Sequence, residues 1–403
     1  MQKPLALAWR NLSRNPRRNL IAAITIFVSA LVLLCSLFLA DGISDGIVRN
    51  LVAIESGTVF VSYKKETDAI KDPAEFAAMH RHVQSVLSDV VGAQQVRTRL
   101  RFDGILFGPG GDTATLALKG IDPARETQLA SYLVPKSGRM IAAEGQEIYL
   151  SEQVAAQLRV RPGDRITLVL NTWGNQINAV DLTLAGVFGN VAPWVDYTGY
   201  VSLPTARELY AVDMSNQYLL DTPDLGGAAA LEGRVAEALA DQPVQVRNYH
   251  RAGGFQLGIA SANRYTFLAF SSVLFVVVGM GIASLISITV RERAPELGML
   301  LAIGYRGPQL IVLLLLEVLI LAAMAMLAAG ATGSAIYAAI ASQGIELSGV
   351  ARNAFGTARL MPAAHPYQLA VLATACLGMA VLGAIVPAAR ILRLNTDEIL
   401  RKG

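Results

Sequence analysis

The sequence predicts an α-helical membrane protein with four transmembrane helices and a large extracytoplasmic α+β domain between the first and second of them. Three observations predict this. Charged residues make up 16% of the 403, against about 25% in average soluble proteins. Four stretches are almost free of charge. The basic residues gather beside those stretches rather than in the long segment between the first two.

Asn19–Ala40 carries no charge; at ~1.5 Å per residue it reaches roughly 33 Å, enough to cross a ~30 Å hydrocarbon core. Tyr265–Val290 is charge-free between Arg264 and Arg291. Gly307–Ile345 carries only Glu317, and Leu360–Ala389 carries none with His365 neutral. The spans read as 19–41, 264–290, 309–345 and 360–389. Residues 41–264 hold 20 Lys/Arg and 25 Asp/Glu, whereas the rest holds 14 and 6. Five basic residues lie in 1–18, three in 291–306 and four in 390–403, against two in 346–359. The positive-inside rule then places both termini and the 291–308 loop in the cytoplasm, with 42–263 and 346–359 outside. The pI near 8.8 follows from these juxtamembrane residues, so no nucleic-acid partner is implied.

The N-terminal segment 1–18 has Leu5, Ala8, Trp9 and Leu12 on one stripe and arginines elsewhere. It reads as an amphipathic surface helix, or else as a plain basic tail. The first span is too long for a signal-peptide core and reads as an uncleaved anchor. Beyond it Ile43, Ile47, Leu51 and Ile54 continue a helical stripe, a stalk that Gly57 ends. Residues 58–63 read as a strand, and 73–90 as an amphipathic helix. Phe102–Gly120 reads as a hairpin turning at Gly108-Pro109-Gly110-Gly111-Asp112. Ser151 suits the N-cap of a helix to Leu158. Strands 166–170 and 180–188 flank a polar tip, 171–178. Thr205 reads as the cap of a helix to Tyr210, and two short strands surround the helix 228–239. The small-residue run Ala322–Ser334 in the third span permits close helix packing.

Residues 291–308, RERAPELGMLLAIGYRGP, separate the second and third spans. Pro295 suits a first helical turn, and Glu296 complements the helix dipole. Leu297, Leu300, Leu301 and Gly304 share one stripe; Met299 and Ile303 make the opposite side apolar. This is either a tight interhelical turn or a short helix that packs against both its own membrane helices and a second protein.

Catalytic signatures are missing. There is no P-loop, no metal-ligand spacing among four scattered histidines, and no nucleophile elbow. The cysteines, Cys35 and Cys376, lie inside predicted spans and imply neither a disulfide nor a metal. Glu317 has a substrate or proton role, or pairs near the interface. Trp173 at the 171–178 tip either touches a partner or covers the hairpin.

Arg293-Ala294-Pro295-Glu296-Leu297-Gly298-Met299-Leu300-Leu301-Ala302-Ile303-Gly304 resembles the coupling-helix motif of FtsX/MacB-type ABC transporter permeases. Ala8-Trp9-Arg10-Asn11-Leu12 with Arg14-Asn15 resembles their N-terminal segment, and Pro387-Ala388-Ala389-Arg390 with Asp397–Arg401 their tail. Pro295 and Leu301 stand where the family usually has basic residues. The layout is nearest to the lipoprotein-release, LolC/LolE-like branch. The resemblance implies a periplasmic domain with a porter-like core and an inserted subdomain at about 130–200. It implies a dimer with a second permease copy or paralogue, in the bacterial inner membrane, and a separate cytoplasmic ABC ATPase dimer that binds the ATP and Mg. This chain itself would be non-catalytic and hold no cofactor. Glu292, Glu296, Leu297, Gly298, Leu300, Leu301 and Gly304 would couple to the ATPase. Asn171, Trp173 and Asn175 would contact a periplasmic carrier or lipoprotein. The function implied is ATP-driven movement of the outer domain that extracts or exports a lipoprotein or other hydrophobic substrate. The alternative is a non-transporting transmitter that activates a periplasmic partner such as a cell-wall hydrolase.

Overall fold

The computed structural model describes residues 16–64, 73–222, 224–292 and 303–391, with Glu296 and Met299. The helix expected within 1–18 falls, but for its last residues, outside the described residues, as does the tail from 392. Two compact units divide at Ile43/Ser44 and Ala260/Ser261, and residues 346–359 belong with the second.

The first unit is helical. Four helices among the described residues are long and apolar enough to cross a membrane, lying within Asn19–Ser56, Gly254–Val277, Gly307–Ala341 and Pro366–Gly383. Their outward positions stay greasy: Leu20, Ile24, Val273, Val276, Met280 and Leu382 are all exposed. Water would not tolerate such a surface, whereas lipid would. Inward, Ala322, Ala325, Ala329 and Gly333 line the buried face of the third long helix. A Cβ on Gly333 would come within 2.7 Å of the Leu34 side chain. The small-residue run thus lets the first and third helices approach closely. Glu317 is buried on that same inward face.

Asp41, 5% exposed, ties the outer end of the first span to the start of the fourth. It accepts hydrogen bonds from Tyr367 Oη and from Gln368 Nε2, the latter at 2.5 Å. Beside it, a Cβ on Gly42 would lie 2.0 Å from the Met361 carbonyl oxygen. A backbone atom cannot swing aside, so Gly42→Val is expected to destabilise this unit by at least about 3 kcal/mol. Thermal unfolding in mild detergent checks this; an unchanged transition refutes the contact.

The second unit contains ten strands in one connected sheet. In chain order they are β1 (Val59–Tyr63), β2 (Val96–Phe107), β3 (Thr113–Ile121), β4 (Pro135–Gly138), β5 (Glu147–Ser151), β6 (Arg165–Asn171), β7 (Ile177–Phe188), β8 (Thr198–Ser202), β9 (Gln217–Leu220) and β10 (Val244–Asn248). Strands β10-β1-β9-β2 lie side by side, every neighbour antiparallel. Helices Pro73–Val91 and Ala228–Ala238 connect β1 to β2 and β9 to β10. This is a double split βαβ, the ferredoxin-like arrangement. Both helices cover one face: Val83, Leu87, Leu231 and Val235 pack on Val59, Val61, Tyr218 and Leu220.

Between β2 and β9 the chain builds a closed ring. β2 pairs with β3, β3 with β8, β8 with β5, β5 with β7, β7 with β6, and β6 returns to β2. Alternate residues point inward, as strand geometry requires: Leu100, Phe102 and Leu106 of β2, Leu116 and Leu118 of β3, Ile166, Leu168 and Leu170 of β6. Leucines fill the ring so fully that a Cβ on Gly104 would meet Leu168 at 2.7 Å, and one on Gly199 would meet Leu116 at 2.8 Å. The residues at about 130–200, where an insertion is expected, supply β4 to β7 and most of β8. β2 serves both sheets: Val96–Arg99 pair with β9, and Leu100–Phe107 with β3.

Local signals mostly hold. Gly108 N–H donates to Asp112 O at 2.8 Å in the β2–β3 turn, where Gly111 takes φ 86°. Ser151 caps Glu152–Leu158 by accepting from Val154 N–H. Thr205 is not the cap of its helix. The helix begins at Leu203 with Pro204 in its first turn, so Ser202 caps it and accepts from Thr205 N–H at 3.3 Å.

Candidate functional site

The segment expected to couple to a second protein follows the helix Gly254–Glu292 and precedes Gly307–Ala341. Glu292 ends the first of these and is exposed. Glu296 is helical and exposed. Leu297, Gly298, Leu300 and Leu301 lie outside the described residues. The Met299 carbonyl oxygen accepts the Ile303 N–H at 3.0 Å, and Gly304 takes a φ of 105°. Only glycine adopts that backbone cheaply. Arg306 then starts the next helix in a reciprocal cap with Gln309. Met299 is 62% exposed and Ile303 73%. Spaced by four, they share one face. The motif-derived set of coupling residues omitted both, although their apolar side is legible in the sequence.

The 171–178 tip does not stand free. Trp173 packs on Phe76, ring centroids 4.7 Å apart, and edge-on to Tyr210 at 6.3 Å. Its N–H donates to Tyr210 O at 3.1 Å. Asn175 supplies the left-handed turn residue, φ 57°. Asn171 ends β6 opposite Ile177, and Asn178 Nδ2 donates to Leu209 O at 3.0 Å. Trp173 thus covers the hairpin against its neighbours, while Ile177, 79% exposed, is the apolar residue the tip shows to solvent.

Below Phe76 on the same helix, His80 is buried. Its Nδ1 lies 2.6 Å from Tyr218 Oη, which lies 2.8 Å from Tyr63 Oη. Burial, then the Arg207 charge, lower the imidazole pKa to about 4; Asp213 opposes and Arg81 adds a little. The folded form therefore refuses a proton that the unfolded chain takes up near pH 6.5. Stability is full above that pH and falls as pH drops from 6.5 toward 4, by roughly 3 kcal/mol in all. Denaturant unfolding at pH 7.5 and 4.5 is expected to show this loss in the native sequence and a smaller one in His80→Phe.

The largest polar feature went unread in the sequence. At its outer end the first long helix widens into a π-helical turn, Leu51–Ser56, which Gly57 closes at φ 62°. Helix ends leave carbonyls without partners. Here two arginines of β2 take them: Arg97 donates to Ala53 O at 3.0 Å, and Arg99 to Ile54 O. Both also bind Glu126, which is 1% exposed. Arg99 does so in a fork at 2.5 and 2.8 Å, and Arg97 through Nη1 at 2.8 Å. Asp221 of the adjoining strand end holds Arg97 from the other side at 2.5 and 2.7 Å. Glu55 on the turn itself accepts from the buried Lys119 at 2.6 Å. Burial works against the Glu126 charge. The charges and hydrogen bonds of Arg99 and Arg97 outweigh it and hold that carboxyl below its ordinary value. Burial likewise lowers the Lys119 amine, with Glu55 opposing. Arg97, Arg99 and Arg101 alternate along β2, and the acids that claim the first two come from elsewhere in the chain.

The 346–359 segment belongs to this unit as well. Its helix Gly349–Phe355 brings Arg352 to 2.8 Å from the fully buried Asp196, and Ala358 N–H donates to Val191 O. Among the described residues no group of acids, histidines or cysteines could hold a metal ion.

The described residues thus combine four membrane-type helices with a large mixed α and β domain. Residues 268–396 match the family model of the FtsX-like permease C-terminal domain. This part of the chain is similar to FtsX-like permease domains, and the chain resembles FtsX/MacB-type ABC transporter permeases, a class of generally non-catalytic membrane subunits that work with a cytoplasmic ATPase. Among solved structures, the extracellular domain of the noncanonical ABC-type transporter YknZ from Gram-positive bacteria is similar at 15% identity. Its TM-score is 0.34, over 47% of this chain and 99% of that one. The periplasmic region of MacB from Actinobacillus actinomycetemcomitans is similar at 14% identity and a TM-score of 0.35, over 52% of this chain and 96% of that one. No curated protein matches the sequence.

Proposed function

We propose that this chain is the permease of an ABC transporter that converts ATP hydrolysis by separate cytoplasmic subunits into movement of a periplasmic domain. The movement extracts or exports a lipoprotein or other hydrophobic substrate from the bacterial inner membrane. The carrying observation is the family match over 268–396, which contains the interhelical segment and the third and fourth long helices. In this reading 19–41, 264–290, 309–345 and 360–389 span the bilayer, both termini are cytoplasmic, and a second copy or paralogue completes a dimer. Glu292, Glu296, Leu297, Gly298, Leu300, Leu301 and Gly304 face an ATPase that binds ATP and Mg. The exposed pair Met299 and Ile303 supports this reading by adding an apolar contact on the same turn. The LolC/LolE-like layout favours a lipoprotein cargo handed to a periplasmic carrier, with Asn171, Trp173 and Asn175 near the contact. Purification from native membranes in mild detergent tests the reading. An ABC ATPase at near-equal stoichiometry, with lipoprotein or lipid beside it, supports it. An ATPase with a tightly held periplasmic hydrolase and no cargo turns it into the non-transporting alternative. No ATPase after crosslinking overturns it.

A further inference from the structure

The helix-free face of the four-stranded sheet is unusually polar. Successive cross-strand rows place Arg247, Phe60, Leu219 and Arg97 together, then Gln245, Ser62, Gln217 and Arg99. The Arg97 and Arg99 end is closed by Glu126 and Asp221. The other end is open. It floors a cavity of about 420 Å³, which the partly buried Trp173 and Tyr210 also line. Phe60, Arg101 and Gln217 also line a second cavity of about 190 Å³, so the two adjoin. The combined space falls within the size range of small-molecule sites.

Particular buried polar atoms here have no hydrogen-bond partner among the described residues. Arg247 lies over the Phe60 ring, 5.6 Å from the centroid, and its buried Nε has no hydrogen-bond partner among the described residues. Arg101 leans on Asp103 only at 3.7 Å, with both side chains at least half exposed, a pair worth little in water. In the adjoining cavity the buried Trp194 Nε1 donor and Glu55 Oε1 acceptor likewise have no partner. Buried polar atoms are nearly always satisfied, and a guanidinium fixed over an aromatic ring is pre-set to take an anion. Trp173 and Tyr210, partly buried and lining the same cavity, offer an apolar body its place.

We propose that this trough binds a small anionic amphiphile: a carboxylate, sulfonate or phosphate group held by Arg247 and Arg101, with an aromatic or short acyl body against Trp173 and Tyr210. It rests on the domain alone and stands whether or not the chain is a permease.

The test uses the full chain in detergent or nanodiscs, with 2-naphthalenesulfonate as the anionic probe and 2-naphthalenemethanol as its uncharged counterpart, each titrated calorimetrically. The sulfonate is expected to bind at least tenfold tighter than the alcohol. Arg247→Gln is expected to weaken the sulfonate at least tenfold and leave the alcohol nearly unchanged. Ser62→Trp, which fills the floor, is expected to abolish both. Arg234→Gln, an arginine of the helix-covered side, changes neither. Thermal unfolding of each variant shows that it is folded; should Arg247→Gln not fold, Arg101→Gln carries the charge test with the same expectation at a smaller loss. Absence of sulfonate binding at millimolar probe, or binding indifferent to Ser62→Trp and to the arginine variants, overturns the proposal.

Discussion

Replacing Glu126 by Ala is expected to cost the large domain about 3–5 kcal/mol, more than any other single side-chain truncation at its surface or in its polar core. The reason is asymmetry. Arg97 and Arg99 are 3% and 0% exposed, and both lean on this one carboxylate. Removing it takes from the buried Arg99 its carboxylate partner and leaves Arg97 with Asp221 as its acid, and breaking such pairs from one side costs several kcal/mol. The carbonyls of Ala53 and Ile54 remain, but they cannot neutralise a charge. An exposed pair such as Lys136–Glu152, 59% and 40% exposed, serves as the control and is expected to matter by less than about 1 kcal/mol. Because the Glu126 carboxyl sits below its ordinary value, its contribution is complete above the unfolded-state pKa and is lost as pH falls through the lower folded one. Hydrogen exchange provides a local readout: amides of 51–56 and 96–100 are expected to lose protection first in Glu126→Ala. Equal protection there, with exchange raised only elsewhere, would show that the arginines do not hold the helix end.

The second large effect concerns association. Glu296→Arg combined with Ile303→Asp is expected to reduce recovery of a copurifying ATPase at least tenfold, equivalent to about 1.4 kcal/mol or more. Both side chains are exposed in the free chain, so the membrane helices keep their packing and the thermal transition should not move. An apolar contact turned acidic leaves a carboxylate to be desolvated against the partner, and the reversed charge opposes steering. Undiminished recovery with the double variant would exclude this turn as the docking point. A lowered transition would instead assign both residues to the membrane unit itself.

Much of this architecture is readable from residues alone, and the rest is hidden for definable reasons. The spans declare themselves because uncharged runs of that length have no other stable home. Two hairpins are visible because their turns carry glycine, proline and asparagine at positions with special backbone angles, as at Gly111 and Asn175. The helix 73–90 shows by its periodicity, and the helix to Leu158 by its serine cap. What cannot be read is pairing between distant segments. Nothing local announces that β6 closes a ring onto β2, or that β8 runs parallel beside β3. The arginine pair was opaque for the same reason: its acids, Glu126 and Asp221, belong to other elements. The cap at Ser202 was missed by three residues because Thr205 is also a good capping residue and sits within the first turn. At the candidate site, the greasy side of Met299 and Ile303 was legible, but a motif match drew attention to the opposite stripe. The tip's tryptophan was legible only as a choice between two roles; Phe76 and Tyr210, distant in sequence, decide that it packs.

The strand order has a consequence for biogenesis. Strand β1, residues 59–63, emerges soon after the first membrane helix, yet its two neighbours are 217–220 and 244–248. No segment made in between can satisfy its backbone. Nearly the whole domain must therefore be made before the central sheet can close, whereas the strands of the leucine-rich ring lie closer together in the chain. Late pairing of this kind is slow and leaves sticky edges open. A chain ending before residue 244 would leave one edge of β1 without its neighbour, an open strand edge of the kind that recruits other chains.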